Sequence, residues 1–124
     1  MALGLIRRAD IILTDFSPGR EGEADRLHPA IIVSNNKVNA AHFVFVVVPM
    51  TSNLDRIYEF DVLLPSHQTE LNKDSKAQVN LIRHVSDTRL RQRLGFVPDD
   101  LMLELDERIL EHLGLRYKLG AIIS

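Results

Sequence analysis

The chain has no cysteine and no tryptophan, and its aromatics amount to five Phe and two Tyr. Without cysteine there is no disulfide, no thiolate metal ligand and no Cys nucleophile, so any stable fold must come from apolar burial alone. Long hydrophobic runs are also missing. The longest, Phe43 to Met50, falls far short of a membrane span. The opening MALGLIRRAD is not a secretory signal, because its apolar stretch precedes the arginines and is too short. We therefore expect a soluble, cytoplasmic protein. At 124 residues with 45% hydrophobic content, one domain over residues 1–124 is expected.

Charge of one sign is scarce as well. Net charge is −2, and the acidic excess lies in residues 96–124, with three Lys/Arg against six Asp/Glu. No broad basic field is available to hold a long duplex, so any nucleic-acid contact should be short and local, with a shallow salt dependence. Eleven of the fifteen basic residues are Arg, whose planar fork suits phosphate. The scattered histidines have no metal-ligand spacing, and SPGREGE lacks the Lys-Ser/Thr ending of a phosphate loop. We expect no metal and no cofactor.

What is present is a series of short β-branched runs, each ending in a polar tip: IILTDFSPGR, HPAIIVSNN, FVFVVVPMTSN and EFDVLLPS, followed by AQVNLIRHVSD. Five strands are predicted, at about 10–16, 30–34, 42–48, 58–64 and 76–85. The long polar segment Ser17 to Leu27, a turn at NNKVNA and a loop from Pro65 to Asp74 connect them. Ser86-Asp87-Thr88 predicts a short helix over 88–93. Pro98, Asp99 and Asp100 open a second, whose stripe of Leu101, Leu105 and Ile109 would pack on the sheet before Gly114 stops it. Residues 116–124 read as an extended tail. The fold class is α+β and mainly β, a small curved antiparallel barrel with a C-terminal amphipathic helix.

The order of these tips resembles the MazF/PemK family of toxin endoribonucleases. The matching residues are Arg8-Ala9-Asp10-Ile11, Asp15-Phe16-Ser17-Pro18, Gly22-Glu23 and His28-Pro29-Ala30. They continue with Pro49-Met50-Thr51-Ser52-Asn53, Asp74-Ser75 through Ile82-Arg83, and Leu113-Gly114-Leu115. The resemblance implies an SH3-like barrel, a homodimer, and a groove that binds single-stranded RNA or the disordered C-terminal tail of a cognate antitoxin. It implies metal-independent cleavage at short sequences. Four positions depart from the family pattern: Ala9 replaces a glycine, His28 an arginine, Asn80-Leu81 an acid-Gln pair, and Gly22 a serine.

RNA is cut without metal when its own 2′-OH attacks phosphorus, which leaves a 2′,3′-cyclic phosphate and a 5′-OH. Such a site needs a base, an acid and charge-stabilising donors. The resemblance places His28 and Thr51 at the scissile phosphate. Imidazole exchanges protons near neutrality, although a histidine at a strand entrance is also often just solvated. Arg26 shares a strand face with position 28, and Glu23 is a loop carboxylate that could serve as base or base reader. Arg20, Ser52, Asn53, Asn80 and Arg83 are candidates for RNA contact. Arg83 has an alternative in an ion pair with Asp10 or Asp87. Two other readings share the fold: a CcdB-like toxin that binds gyrase, and a catalytically decayed member that still binds antitoxin or RNA.

Overall fold

The computed structural model describes residues 3–17 and 26–115. The segment predicted as a polar loop, with Arg20 and Glu23, and the predicted tail both fall largely or wholly outside these residues.

Seven strands form one antiparallel sheet: β1 (Asp10–Asp15), β2 (Leu27–Ile32), β3 (Val44–Thr51), β4 (Asp61–Leu64), β5 (Ser75–Gln78), β6 (Arg83–Ser86) and β7 (Leu90–Phe96). The spatial order is β4-β5-β3-β2-β1-β7, with β6 also paired to β3. No ladder joins β4 to β7 among the described residues, so the sheet curls without closing. Register shifts in the β1–β7 ladder add to the curl. The helices are α1 (Asn36–Ala41), α2 (Ser66–Thr69) and α3 (Asp99–His112).

Alternation along the strands builds two cores, one on each sheet face. Ile11, Ile31, Val48 and Met50 pack under Leu101, Met102 and Leu105 of α3. Ile12, Ile32, Val47 and Phe45 form the other core with Val85 and Leu90. Each large side chain buried in this way contributes about 1.5–3 kcal/mol. The expected α3 stripe is therefore what covers the sheet. Asp99 and Asp100 sit in its first turn, and Gly114 takes φ 74° just beyond its end.

Several boundaries differ from the sequence reading. Strand two begins earlier, at Leu27, and strand three runs later, from Val44 to Thr51. The NNKVNA turn is helical. Asn35 caps α1 by accepting from the Val38 amide, and Asn39 is buried between Ser34 and Asn36. The expected strand over 76–85 is two strands, interrupted by a 3-10 turn at Val79–Leu81. Ala77 and Val79 belong to the helix-side core and Val85 to the other. A continuous strand would hold these odd-numbered residues on one face, so the turn is what switches faces.

The helix expected over 88–93 is a 3-10 turn, Asp87–Arg89, leading into β7. Tertiary pairing overrides local propensity here, because β7 completes the outer edge of β1. It also brings Arg91 to Asp15 and Arg93 to Asp10, at 3.0 and 3.1 Å. Gly95 in β7 is packed so closely that a β-carbon would lie 2.1 Å from the Thr69 carbonyl oxygen. Ala9 adopts φ 82°, with its amide donating to Ile32 and its carbonyl accepting from Val97. This left-handed conformation costs a residue with a side chain roughly 1–2 kcal/mol.

Candidate active site

The polar tips do not all converge: the start of β2 meets the end of β3, while Ser34 at the end of β2 lies beside Val46 at the other end of the ladder. In the β2–β3 ladder Ala30 pairs with Pro49 and Ile32 with Val47. Continuing that register two residues further sets His28 opposite Thr51. Both line a cleft of about 550 Å³, together with Ser52. His28 is exposed and Thr51 half-buried. The Thr51 hydroxyl accepts from the Asn53 amide at 3.1 Å, and the Asn53 side-chain oxygen accepts from the Asp55 amide at 3.0 Å. Thr51 thus bends the chain after β3 and keeps its own proton to donate.

Phe16 connects this cleft to a cation. Its ring centroid lies 6.3 Å from that of His28, and the Arg83 guanidinium stands 5.3 Å from the same centroid. Arg83 projects from β6, opposite Val47, and its Nε donates to the His84 carbonyl. Neither alternative partner takes it, since Asp10 pairs with Arg93 and Asp87 faces His42 at 3.8 Å. Arg26 reaches the same corner through its backbone, where its carbonyl accepts from the Phe16 amide at 3.0 Å.

Of the residues expected at the site, His28, Thr51 and Ser52 therefore share one cleft. Arg83 and Arg26 approach it through Phe16. Asn53 adjoins Thr51 without lining the cleft. Asn80 lies in the 3-10 turn at Val79–Leu81 and is not among the cleft residues. Arg20 and Glu23 lie outside the described residues.

The facing wall was missed in the sequence. It consists of Glu70, Leu71, Asn72 and Lys73, which follow α2. Glu70 turns the chain with φ 67°. The segment is pinned at its far end by Asp74, whose carboxylate accepts from the Ser66 amide at 2.8 Å. That bond is the largest cause holding the Asp74 carboxyl below its ordinary pKa. The available signal was Asp74-Ser75, one residue beyond Lys73. Phe16 likewise sat inside the quoted Asp15-Phe16-Ser17-Pro18 without being singled out.

Beneath Thr51, β5 supplies a buried ion pair. Lys76 pairs with Thr51 in the β3–β5 ladder, and its ammonium meets Asp61 at 3.0 Å. Those two side chains are 7% and 1% exposed. The same ammonium donates to the Arg56 carbonyl and lies 5.3 Å from the Tyr58 ring centroid. The segment that leaves Thr51 is thereby tied back to the strand beside it. Among the described residues no three His, Asp or Glu side chains are grouped as metal ligands, and no helix is long and apolar enough to cross a membrane.

Comparison with known proteins agrees with the fold. Residues 7–113 match the family described as PemK-like, MazF-like toxin of type II toxin-antitoxin system. The chain is 39% identical over 116 residues to Endoribonuclease MazF9 of Mycobacterium tuberculosis, covering 90% of this chain and 98% of that protein. MazF from Deinococcus radiodurans superimposes with a TM-score of 0.73 at 23% identity, over 89% of this chain and 97% of that one. A mycobacterial endoribonuclease solved in complex with its cognate antitoxin gives 0.72 at 23% identity, over 89% and 96%. The family match over residues 7–113 and the 39% identity over most of the chain lead to a single conclusion: the chain belongs to the PemK-like, MazF-like toxins of type II toxin–antitoxin systems.

Proposed function

We propose that this toxin is a metal-independent endoribonuclease that cuts single-stranded RNA at short sequences, with His28 and Thr51 at the scissile phosphate. The 2′-oxygen attacks the adjacent phosphorus and loses its proton to a base. A P–O2′ bond forms, the P–O5′ bond breaks, and the departing 5′-oxygen takes up a proton. The products are a 2′,3′-cyclic phosphate and a 5′-OH. His28 carries one of the two proton transfers, and the Thr51 hydroxyl donates to a non-bridging oxygen. Ser52, Asn53 and Arg83 contact phosphate or bases along the strand, and Arg26 adds charge beside Phe16. Glu23 and Arg20 act from the loop before β2.

The observation that carries this reading is the sharing of one cleft by His28 and Thr51. As expected for this family, the protein is a single-domain cytoplasmic homodimer, neutralised by a cognate antitoxin whose tail occupies the RNA groove.

Primer-extension mapping of a mixed RNA pool in EDTA tests it, with wild type beside His28→Ala. Cuts should fall at a short fixed sequence with 5′-OH ends. His28→Ala should slow them about 100-fold or more. A fully active His28→Ala rejects the histidine. Intact RNA with inhibited gyrase replaces the ribonuclease by a CcdB-like toxin. Intact RNA that is nevertheless bound indicates a decayed member.

A further inference from the structure

We infer that Lys73 is the cation that neutralises the scissile phosphate in the His28–Thr51 cleft, an assignment that rests on the ribonuclease reading. Attack on phosphorus places a second negative charge on the non-bridging oxygens, and that charge needs a positive partner throughout the reaction. Thr51 and Ser52 are neutral donors. A histidine that shuttles a proton is neutral for part of each turnover, so it cannot provide a constant charge. Lys73 is the one Lys or Arg among the described residues that line the cleft.

The other nearby cations, Arg26 included, do not line the cleft. Arg83 lies over Phe16 and donates to the His84 carbonyl. Arg91 and Arg93 are paired with Asp15 and Asp10. The Lys76 ammonium is buried against Asp61.

Lys73 is exposed, yet its backbone is fixed on both sides. Ahead of it, the Thr69 hydroxyl accepts from the Leu71 amide, and Glu70 reverses the chain at φ 67°. Behind it, Asp74 holds the Ser66 amide, the Ser75 hydroxyl donates to the Lys73 carbonyl at 3.3 Å, and Ser75 enters the β4–β5 ladder opposite Leu64. Four flexible methylenes on an anchored backbone let an ammonium follow a phosphate whose charge grows during the reaction. The facing walls therefore divide the work: the strand wall supplies the proton carrier and the neutral donor, and the Glu70–Lys73 wall supplies the charge.

The test uses the full chain and the RNA cut site mapped as above, with single-turnover cleavage in EDTA at several salt concentrations. Lys73→Gln should lower kcat at saturating RNA about 10- to 100-fold, the loss expected for one charge-assisted hydrogen bond. It should also reduce the salt dependence of RNA affinity by about one phosphate contact. Lys73→Arg should stay within about threefold of wild type, because the charge is retained. In His28→Arg, where a second cation enters the cleft, Lys73→Gln should cost less than it does alone. Cleavage by wild type with unchanged kcat and salt slope in Lys73→Gln overturns the assignment. So does equal loss in Lys73→Gln and Lys73→Arg accompanied by a lowered melting temperature. Absence of cleavage by wild type overturns the ribonuclease reading itself, which is a separate result.

Discussion

The two walls of the cleft are held by different physics. His28 and Thr51 stand on strands whose backbones are paired on both edges, above residues such as Ala30, Val48 and Met50 that are fully or almost fully buried. Glu70 to Lys73 instead follow a single helical turn and are kept in place by side-chain bonds to backbone and by one close approach of β7. The strand wall is thus as rigid as the core beneath it, whereas the other wall depends on a few local contacts that single substitutions can remove.

The largest expected effect strikes beneath the strand wall. Lys76→Met strips Asp61 of its buried counter-charge and should cost about 3–5 kcal/mol in denaturant unfolding. Adding Asp61→Leu should recover much of that, because two buried charges are then replaced by apolar groups. If Lys76→Met unfolds like wild type, the pair does not brace the Thr51 tip. Next is Gly95→Ala, which drives a methyl against the Thr69 carbonyl oxygen. It should cost about 1–3 kcal/mol and slow RNA cleavage by shifting the Glu70–Lys73 turn, which thermal unfolding and cleavage rates on one sample would separate.

The smallest effect is acid sensitivity. The Ser66 amide holds the Asp74 carboxyl low, and the Ser17 hydroxyl and amide, helped by Arg91, do the same for Asp15. A carboxyl depressed on folding contributes stability above its unfolded pKa, near 3.8, and loses it as pH falls through the lower folded value. Melting temperature should therefore drop below about pH 4, and Asp74→Asn should flatten part of that fall. An unchanged acid profile in Asp74→Asn would show that this bond adds little to the turn.

How much of this was legible in the sequence follows the same division. The β-branched runs around Ile11, Ile31 and Val47, and the stripe of Leu101, Leu105 and Ile109, announce themselves because burial imposes periodicity. His28, Thr51 and Ser52 came from the resemblance of their motifs to the toxin family, because periodicity alone does not mark them. β7 was hidden because Arg91, Gln92 and Arg93 carry no β-branched pattern, and only the unpaired edge of β1 makes them a strand. Lys73 was hidden for another reason: its place on the cleft that holds Thr51 depends on the reversal at Glu70, a long-range consequence of chain path that no local pattern encodes.

Ala9 separates two properties that usually move together in an enzyme. Its unfavourable backbone angle is stored at the start of β1, among Ile32 and Val97, and it does not line the cleft. Relieving it with glycine would firm the scaffold while leaving every reacting group in its present surroundings. Durability and turnover in this toxin can thus be adjusted from independent positions.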